Sequence, residues 1–98
     1  MSSGPEVVPE ERLRRQDGVL AQEAHGRTVL LRLEDGGYYA LDEVGAMIWE
    51  LCDGSRAVAD IVAILCEEFD APESTVCEDV VEFVGDLRRE GLLVLDAA

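Results

Sequence analysis

The stretch Asp35-Gly36-Gly37-Tyr38-Tyr39-Ala40-Leu41-Asp42-Glu43-Val44-Gly45-Ala46-Met47-Ile48-Trp49 changes period in its middle, and that change decides the fold class. Before Asp42 the pattern is that of strands. Asp35-Gly36-Gly37 is a hairpin turn, since glycines accept the positive φ such turns demand. Tyr38-Tyr39-Ala40-Leu41 leaves the turn as a short strand, with Tyr39 and Leu41 on one face and Tyr38 and Ala40 on the other. From Asp42 the period is helical. Asp42 is a capping side chain, and Val44, Ile48, Leu51 and Cys52 follow at i, i+4, i+7 and i+8 on one face. Trp49 stands one position off that stripe and is expected to be half-buried.

Upstream, Val19-Leu20-Ala21-Gln22-Glu23 and Thr28-Val29-Leu30-Leu31-Arg32-Leu33 flank a turn at His25-Gly26. With the tyrosine strand they form a three-stranded antiparallel meander. Residues 1–17, polar and carrying Pro5 and Pro9, are read as a mobile N-terminal arm whose one ordered feature is a short strand or turn near Leu13. Residues 18–98 are the domain. Downstream, Asp53-Gly54-Ser55 stops the first helix, with Gly54 left-handed and Ser55 capping the next helix. The second helix buries Val58, Ile61, Val62, Leu65, Cys66 and Phe69. Pro72 opens the third helix, where its missing N–H costs nothing. Val76, Val80, Phe83, Val84 and Leu87 form its stripe, and Gly91 ends it behind Arg88 and Arg89, which suit the helix dipole. Leu92-Leu93-Val94-Leu95 is an extended tail that packs back on the body. The architecture is α+β: a three-stranded meander, three helices, a short C-terminal extended segment.

Composition narrows the function. The 98 residues suit one small domain, and 48% hydrophobic residues suffice for a core. Acids number 22 and bases 8, a formal net charge of −14. Every base is Arg, so lysine Schiff-base chemistry and a Walker-type phosphate lysine are excluded. The acidity argues against nucleic acid and anionic membranes as partners, because each phosphate contact needs a cation. No apolar run approaches the roughly 18–20 residues of a membrane span, and the N-terminus lacks a signal pattern, so the expected location is the cytoplasm. Three cysteines, an odd number, agree with a reducing compartment.

No residue set points to catalysis. Cys52, Cys66 and Cys77 match no zinc spacing, and Cys52 and Cys66 lie on apolar stripes, so they are read as packing residues. His25 is a solvated turn residue without a nearby partner. The acid runs, such as Glu67-Glu68 and Glu78-Asp79, are solvated helix faces, since general acid–base work needs a pocket that raises one carboxyl pKa. Catalytic residues, metal and cofactor are all expected to be none.

The tyrosine strand is the informative feature. It ends the meander, so its outer edge is open, and an open edge is either covered or meant for a partner. Beside the long third helix it makes a groove suited to strand addition by an extended peptide. The same edge can self-pair, which leaves monomer and dimer open.

The segment from Gly37 to Gly54, the block Val58-Ala59-Asp60-Ile61-Val62, the block Glu67-Glu68-Phe69-Asp70, and Glu78-Asp79-Val80-Val81-Glu82-Phe83-Val84-Gly85-Asp86-Leu87 followed by Gly91-Leu92-Leu93 resemble the PqqD-like family, named for pyrroloquinoline quinone biosynthesis protein D. Its members are also called recognition elements for ribosomally made, post-translationally modified peptides. The resemblance implies a winged-helix-like fold. It implies a non-catalytic chaperone that binds the leader of a precursor peptide by strand addition and delivers it to a modifying enzyme, a radical S-adenosylmethionine enzyme or a leader peptidase. By position, the edge is Tyr38, Tyr39, Ala40 and Leu41, and the helix wall draws on Val76, Asp79, Val80, Phe83 and Leu87. Asp42 stands where the family often has Asn, and Ala57 where it often has a capping Thr. Gly85 inside the third helix admits a close peptide approach if it faces the groove. Two other classes remain: an interaction domain repurposed from this family, and a winged-helix transcriptional regulator. The regulator needs a basic recognition helix, whereas residues 58–89 hold only Arg88 and Arg89. An acyl carrier is disfavoured because Asp53-Gly54-Ser55-Arg56 does not match the serine site such carriers need.

Overall fold

Two three-stranded antiparallel sheets frame the helices in the computed structural model, which describes residues 9–96. The order along the chain is β1 (Arg12–Arg15), β2 (Val19–Ala24), β3 (Arg27–Arg32), β4 (Tyr38–Leu41), α1 (Glu43–Leu51), β5 (Asp53–Ala57), α2 (Val58–Phe69), α3 (Glu73–Arg89) and β6 (Leu93–Leu95). One sheet runs β2-β3-β4, the other β5-β1-β6.

The first sheet is the meander expected from sequence. His25 and Gly26 both take positive φ, 55° and 77°, the pair of conformations a two-residue hairpin turn requires. The register sets Leu30 opposite Ala21 and Tyr39, and Leu31 opposite Leu20 and Tyr38. The period of two therefore turns Leu30, Tyr39 and Leu41 inward, where α1 packs on β3 and β4, and leaves Leu20, Leu31 and Tyr38 outward. Asp42 caps α1 as expected, its Oδ1 accepting from the Gly45 N–H at 2.8 Å.

The second sheet corrects the expected mobile arm over its described part. Residues 1–8 lie outside the described residues. Arg12–Arg15, however, is the central strand of a sheet, with Leu13 only 1% exposed. Leu13 faces Leu95 and Arg15 faces Leu93, so the tail does pack back, as β6. The short strand or turn expected near Leu13 is a strand, but its partners lie some forty and eighty residues downstream, so its central place is not visible in any local window.

The same sheet explains three further departures. Trp49 is 2% exposed rather than half-buried. Arg15 reaches over it from β1, its guanidinium 5.9 Å from the ring centroid, and donates to the carbonyls of Trp49 and Glu50, each at 2.9 Å. Helix α1 has no basic residue in its own last turn, so Arg15 serves its C-terminal carbonyls from outside. Ser55 does not cap α2; its N–H and hydroxyl both bond to Asp53 Oδ1 within β5. The orphan N–H groups of α2 are met by the arm instead, Val58 donating to the Glu11 carbonyl at 2.9 Å and Ala59 to the Pro9 carbonyl at 3.0 Å. Gly54 has the expected positive φ, 86°, but as a residue of β5, where an added Cβ would also stand 3.3 Å from the Asp96 carboxyl.

One core joins both sheets to the helices. Leu13, Leu30, Leu41, Ile48, Trp49 and Leu93 belong to it, together with the inner stripes of α2 and α3. No buried polar or charged residue interrupts it among the described residues. The third helix opens after Pro72 and closes at Glu90, where Gly91 donates to the Arg88 carbonyl and Leu92 to the Leu87 carbonyl.

Candidate functional site

Strand β4 is hydrogen-bonded to β3 alone among the described residues. Arg32 N–H donates to the Gly37 carbonyl at 2.7 Å, which fixes the alternation along the pair. Gly37, Tyr39 and Leu41 direct their backbone groups toward β3; Tyr38 and Ala40 direct their N–H and C=O to the open edge. The edge thus offers two donors and two acceptors at the spacing another strand needs.

Two contacts set α3 beside this edge. At the far end the Phe83 ring lies against Gly45, 3.1 Å from where a Cβ would stand, so any larger residue there would require the ring to shift by a few tenths of an ångström. At the near end Arg32 bridges the hairpin to the end of α3. It bonds both oxygens of Asp35 at 3.1 Å, stands 3.7 Å from Glu90 Oε1, and donates to the Glu90 carbonyl. Gly37, Tyr38 and Tyr39 line a crevice there with Glu90 and Leu92. These two contacts, Phe83 on Gly45 and Arg32 on Glu90, tie α3 to α1 and to the hairpin that precedes β4. Between α1, α2 and α3 lies an apolar hollow of about 190 Å³ walled by Val44, Ile48, Phe69, Ala71, Val76 and Asp79.

The residues named from sequence separate into wall and support. Tyr38 is 76% exposed on the outer sheet face, and Ala40 is exposed beside it. Tyr39 and Phe83 are half-buried, and Asp79 is exposed at the hollow. Val76 lines the hollow, and Val80 floors it from an almost fully buried position. Leu41 and Leu87 point into the core, so their side chains support the groove rather than line it. The helical period imposes this, because one stripe of α3 must seal the core while the next faces outward. Gly85 does not face the groove. It stands two residues from Phe83, nearly opposite on the helix, and an added Cβ would meet only the Arg89 guanidinium at 3.8 Å.

Four groups went unrecognised from sequence. Arg32 and Gly45 act through partners far along the chain, Glu90 and Phe83, which no local signal announces. Val44 and Phe69, read as core, are 40% and 43% exposed and line the hollow. Stripe position does not separate them from core residues, since Cys52, Val58 and Leu87 also stand at stripe ends and are buried.

The electrostatics hold the site's frame. The Gly37 N–H and then the Arg32 guanidinium keep the Asp35 carboxyl below its usual range, which fixes the hairpin before β4. Burial pushes the Cys52 thiol up to about 12, and raises Cys66, with Glu73 and Cys77 adding in the same direction. A thiol so shifted is a poor nucleophile. All three cysteines are free, and among the described residues no group of three or more His, Cys, Asp or Glu is placed to hold a metal.

Comparison with known proteins agrees with this geometry. The family model for coenzyme PQQ synthesis protein D (PqqD) matches residues 27–93. A PqqA binding protein of Rhizobium meliloti (strain 1021) is 38% identical over 68 residues, covering 69% of this chain and 67% of that protein. One of Bradyrhizobium diazoefficiens is 33% identical over 54 residues, 55% of this chain and 52% of its own length. That of Xanthomonas oryzae pv. oryzae (strain PXO99A) is 32% identical over 78 residues, 80% of this chain and 85% of its own. Among solved structures, TbiB1 in complex with the TbiA(beta) leader peptide superposes with a TM-score of 0.74 at 30% identity, covering 87% of this chain and 96% of that one. The PqqD truncation of Methylobacterium extorquens PqqCD, described as a stand-alone recognition element, shares the fold with a TM-score of 0.76 at 23% identity, over 90% and 94% of the two chains. The open edge of β4 and the whole of α3 lie inside the matched residues, and the chain belongs to the PqqD family.

Proposed function

We propose that this chain binds the leader segment of a ribosomally made precursor peptide as an added strand on β4, against α3, and presents it to a modifying enzyme. The observation that carries the reading is the pair of outward backbone positions, Tyr38 and Ala40, on an edge walled by a helix. The relatives' description as PqqA binding proteins and the leader peptide bound to TbiB1 support it. The enzyme served is a radical S-adenosylmethionine enzyme or a leader peptidase. The chain itself performs no catalysis, works in the cytoplasm, and uses its meander as the wing of a winged-helix-like architecture. No helix among the described residues is long and apolar enough to cross a membrane.

The energetics suit a carrier that releases its cargo. Four backbone hydrogen bonds contribute about 0.5–1.5 kcal/mol each. Ordering five peptide residues costs about 1–2 kcal/mol each. The backbone fixes register without holding the peptide, and micromolar binding needs a total of about −8 kcal/mol. Apolar side chains in the groove and hollow supply the difference at about 25 cal/mol per Å² buried.

An amide NMR titration with the leader of the precursor encoded beside this chain's gene tests the reading. Saturable shifts are expected at Tyr38–Leu41 and along α3. Ala40→Pro removes an outward N–H without taking a bond from the sheet. Binding is expected to weaken about tenfold, the effect of one lost hydrogen bond together with the intruding ring. A folded protein whose β4 amides stay still at leader saturation would refute strand addition.

A further inference from the structure

The hollow beyond Phe83 has a chemistry of its own. Its wall is aliphatic and aromatic, contributed by α1, α2 and α3, and its volume of about 190 Å³ exceeds the roughly 150 Å³ that takes a benzene ring in an apolar cavity. Apart from Thr75, the polar side chain in its lining is Asp79. Asp79 is exposed and makes no ion pair or hydrogen bond among the described residues. The elements around the hollow offer no cation to neutralise it. Helix α1 carries Glu43 and Glu50 and no base, and between Arg56 and Arg88 the chain has nine acids and no Arg, Lys or His. In sequence Glu43 is next to Val44, and Glu68 and Asp70 flank Phe69, so the helices that build the hollow carry acids and no base near it, while Asp79 is the acid that lines it.

We infer that this hollow takes an apolar side chain of the leader whose immediate neighbour is Lys or Arg, with Asp79 receiving the cation; the inference rests on the leader-binding reading of the groove. An apolar contact alone would accept any hydrophobic residue. A carboxylate at its rim adds a choice of sign, favouring a cation beside the anchor and repelling an acid there. Because Asp79 is exposed, the preference is modest and screened by salt.

Two blocked tetrapeptides, acetyl-Ala-Phe-Lys-Ala-amide and acetyl-Ala-Phe-Glu-Ala-amide, serve as probes in millimolar amide titrations of the full chain. The Lys peptide is expected to shift Phe69, Ala71, Val76 and Asp79 saturably, and to bind about three- to tenfold tighter than the Glu peptide, the range of an exposed charge pair made attractive or repulsive. Asp79→Asn, an exposed substitution that leaves the core intact, is expected to bring the ratio close to one, and Asp79→Glu to keep it. Equal binding of the two peptides overturns the inference, as do shifts elsewhere. A ratio that survives in Asp79→Asn also overturns it, since the preference would then belong to the net negative field of the whole chain. The probes are too short to pair along β4. If they shift the hollow while the full leader leaves Tyr38 and Ala40 still, strand addition fails and the hollow stands; the opposite pattern removes the hollow alone.

Discussion

The two sheets of this protein have the same number of strands and opposite construction. In β2-β3-β4 each strand pairs with its neighbour in sequence, one face stays open, and the outer edges of β2 and β4 are both unpaired among the described residues. In β5-β1-β6 the strands come from the start, middle and end of the described chain, and Leu13 and Leu93 are buried between helices. The first is a local structure with a surface to spare, which suits recognition. The second ties the N-terminal segment to α1, α2 and the tail, and so holds the groove's walls in place. A strand of four residues can matter more to stability than a complete hairpin, because burial rather than hydrogen-bond count sets the energy.

The sharpest way to break this contrast is to truncate one leucine in each sheet. Leu13→Ala is expected to cost about 2–5 kcal/mol, the usual loss for a fully buried leucine. Leu20→Ala, in a strand half as long again but 54% exposed, is expected to stay within about 0.5 kcal/mol. Urea unfolding of both variants decides; equal losses would mean that β1 is not integral. Arg15→Ala comes next, at about 1–2 kcal/mol, since it removes two bonds to the end of α1 and the contact with Trp49. The Trp49 fluorescence should move to longer wavelength as water reaches the ring, and an unchanged spectrum would argue against Arg15 as its cover.

The smallest effect is a pH dependence shared by the two sheets. The Ser55 hydroxyl and N–H, then Arg56, hold the Asp53 carboxyl at about 2, below its ordinary 3.8. A depressed carboxyl stabilises the fold above 3.8 and loses that contribution as the pH falls to about 2. Asp53→Asn should therefore lower the melting temperature at neutral pH and converge with the parent below that window. Asp35→Asn should do the same from the meander's turn, where the shift has the same sign. Curves that stay parallel down to pH 2 would show that neither turn is held by its carboxylate.

How far the sequence could be read follows the same division. The tyrosine strand is legible because a glycine turn precedes it and its side chains alternate, whereas Asp79 and Phe83 enter as wall residues only by position in the family resemblance. Leu41, named with the edge, and Leu87, named with the wall, both turn into the core, because position and period show which residues share a face, not which face meets the core. Val44 and Phe69 lie on apolar stripes yet are 40% and 43% exposed, a difference that only the packing of the three helices reveals.

The sequence by itself determined the change of period at Asp42, the meander, the three helices, the capping of α1 and the acidity of every helix face. Each depends on neighbours within about a turn of helix or a hairpin, where spacing dictates geometry. Only the tertiary structure decided that Arg12–Arg15 is a central strand, that Trp49 is sealed by Arg15, that α2 is capped by carbonyls of Pro9 and Glu11, that Arg32 reaches Glu90, and that Phe83 packs on Gly45. Those features join groups tens of residues apart, and burial and hydrogen-bond satisfaction at a distance are properties of the packed chain rather than of any window of it.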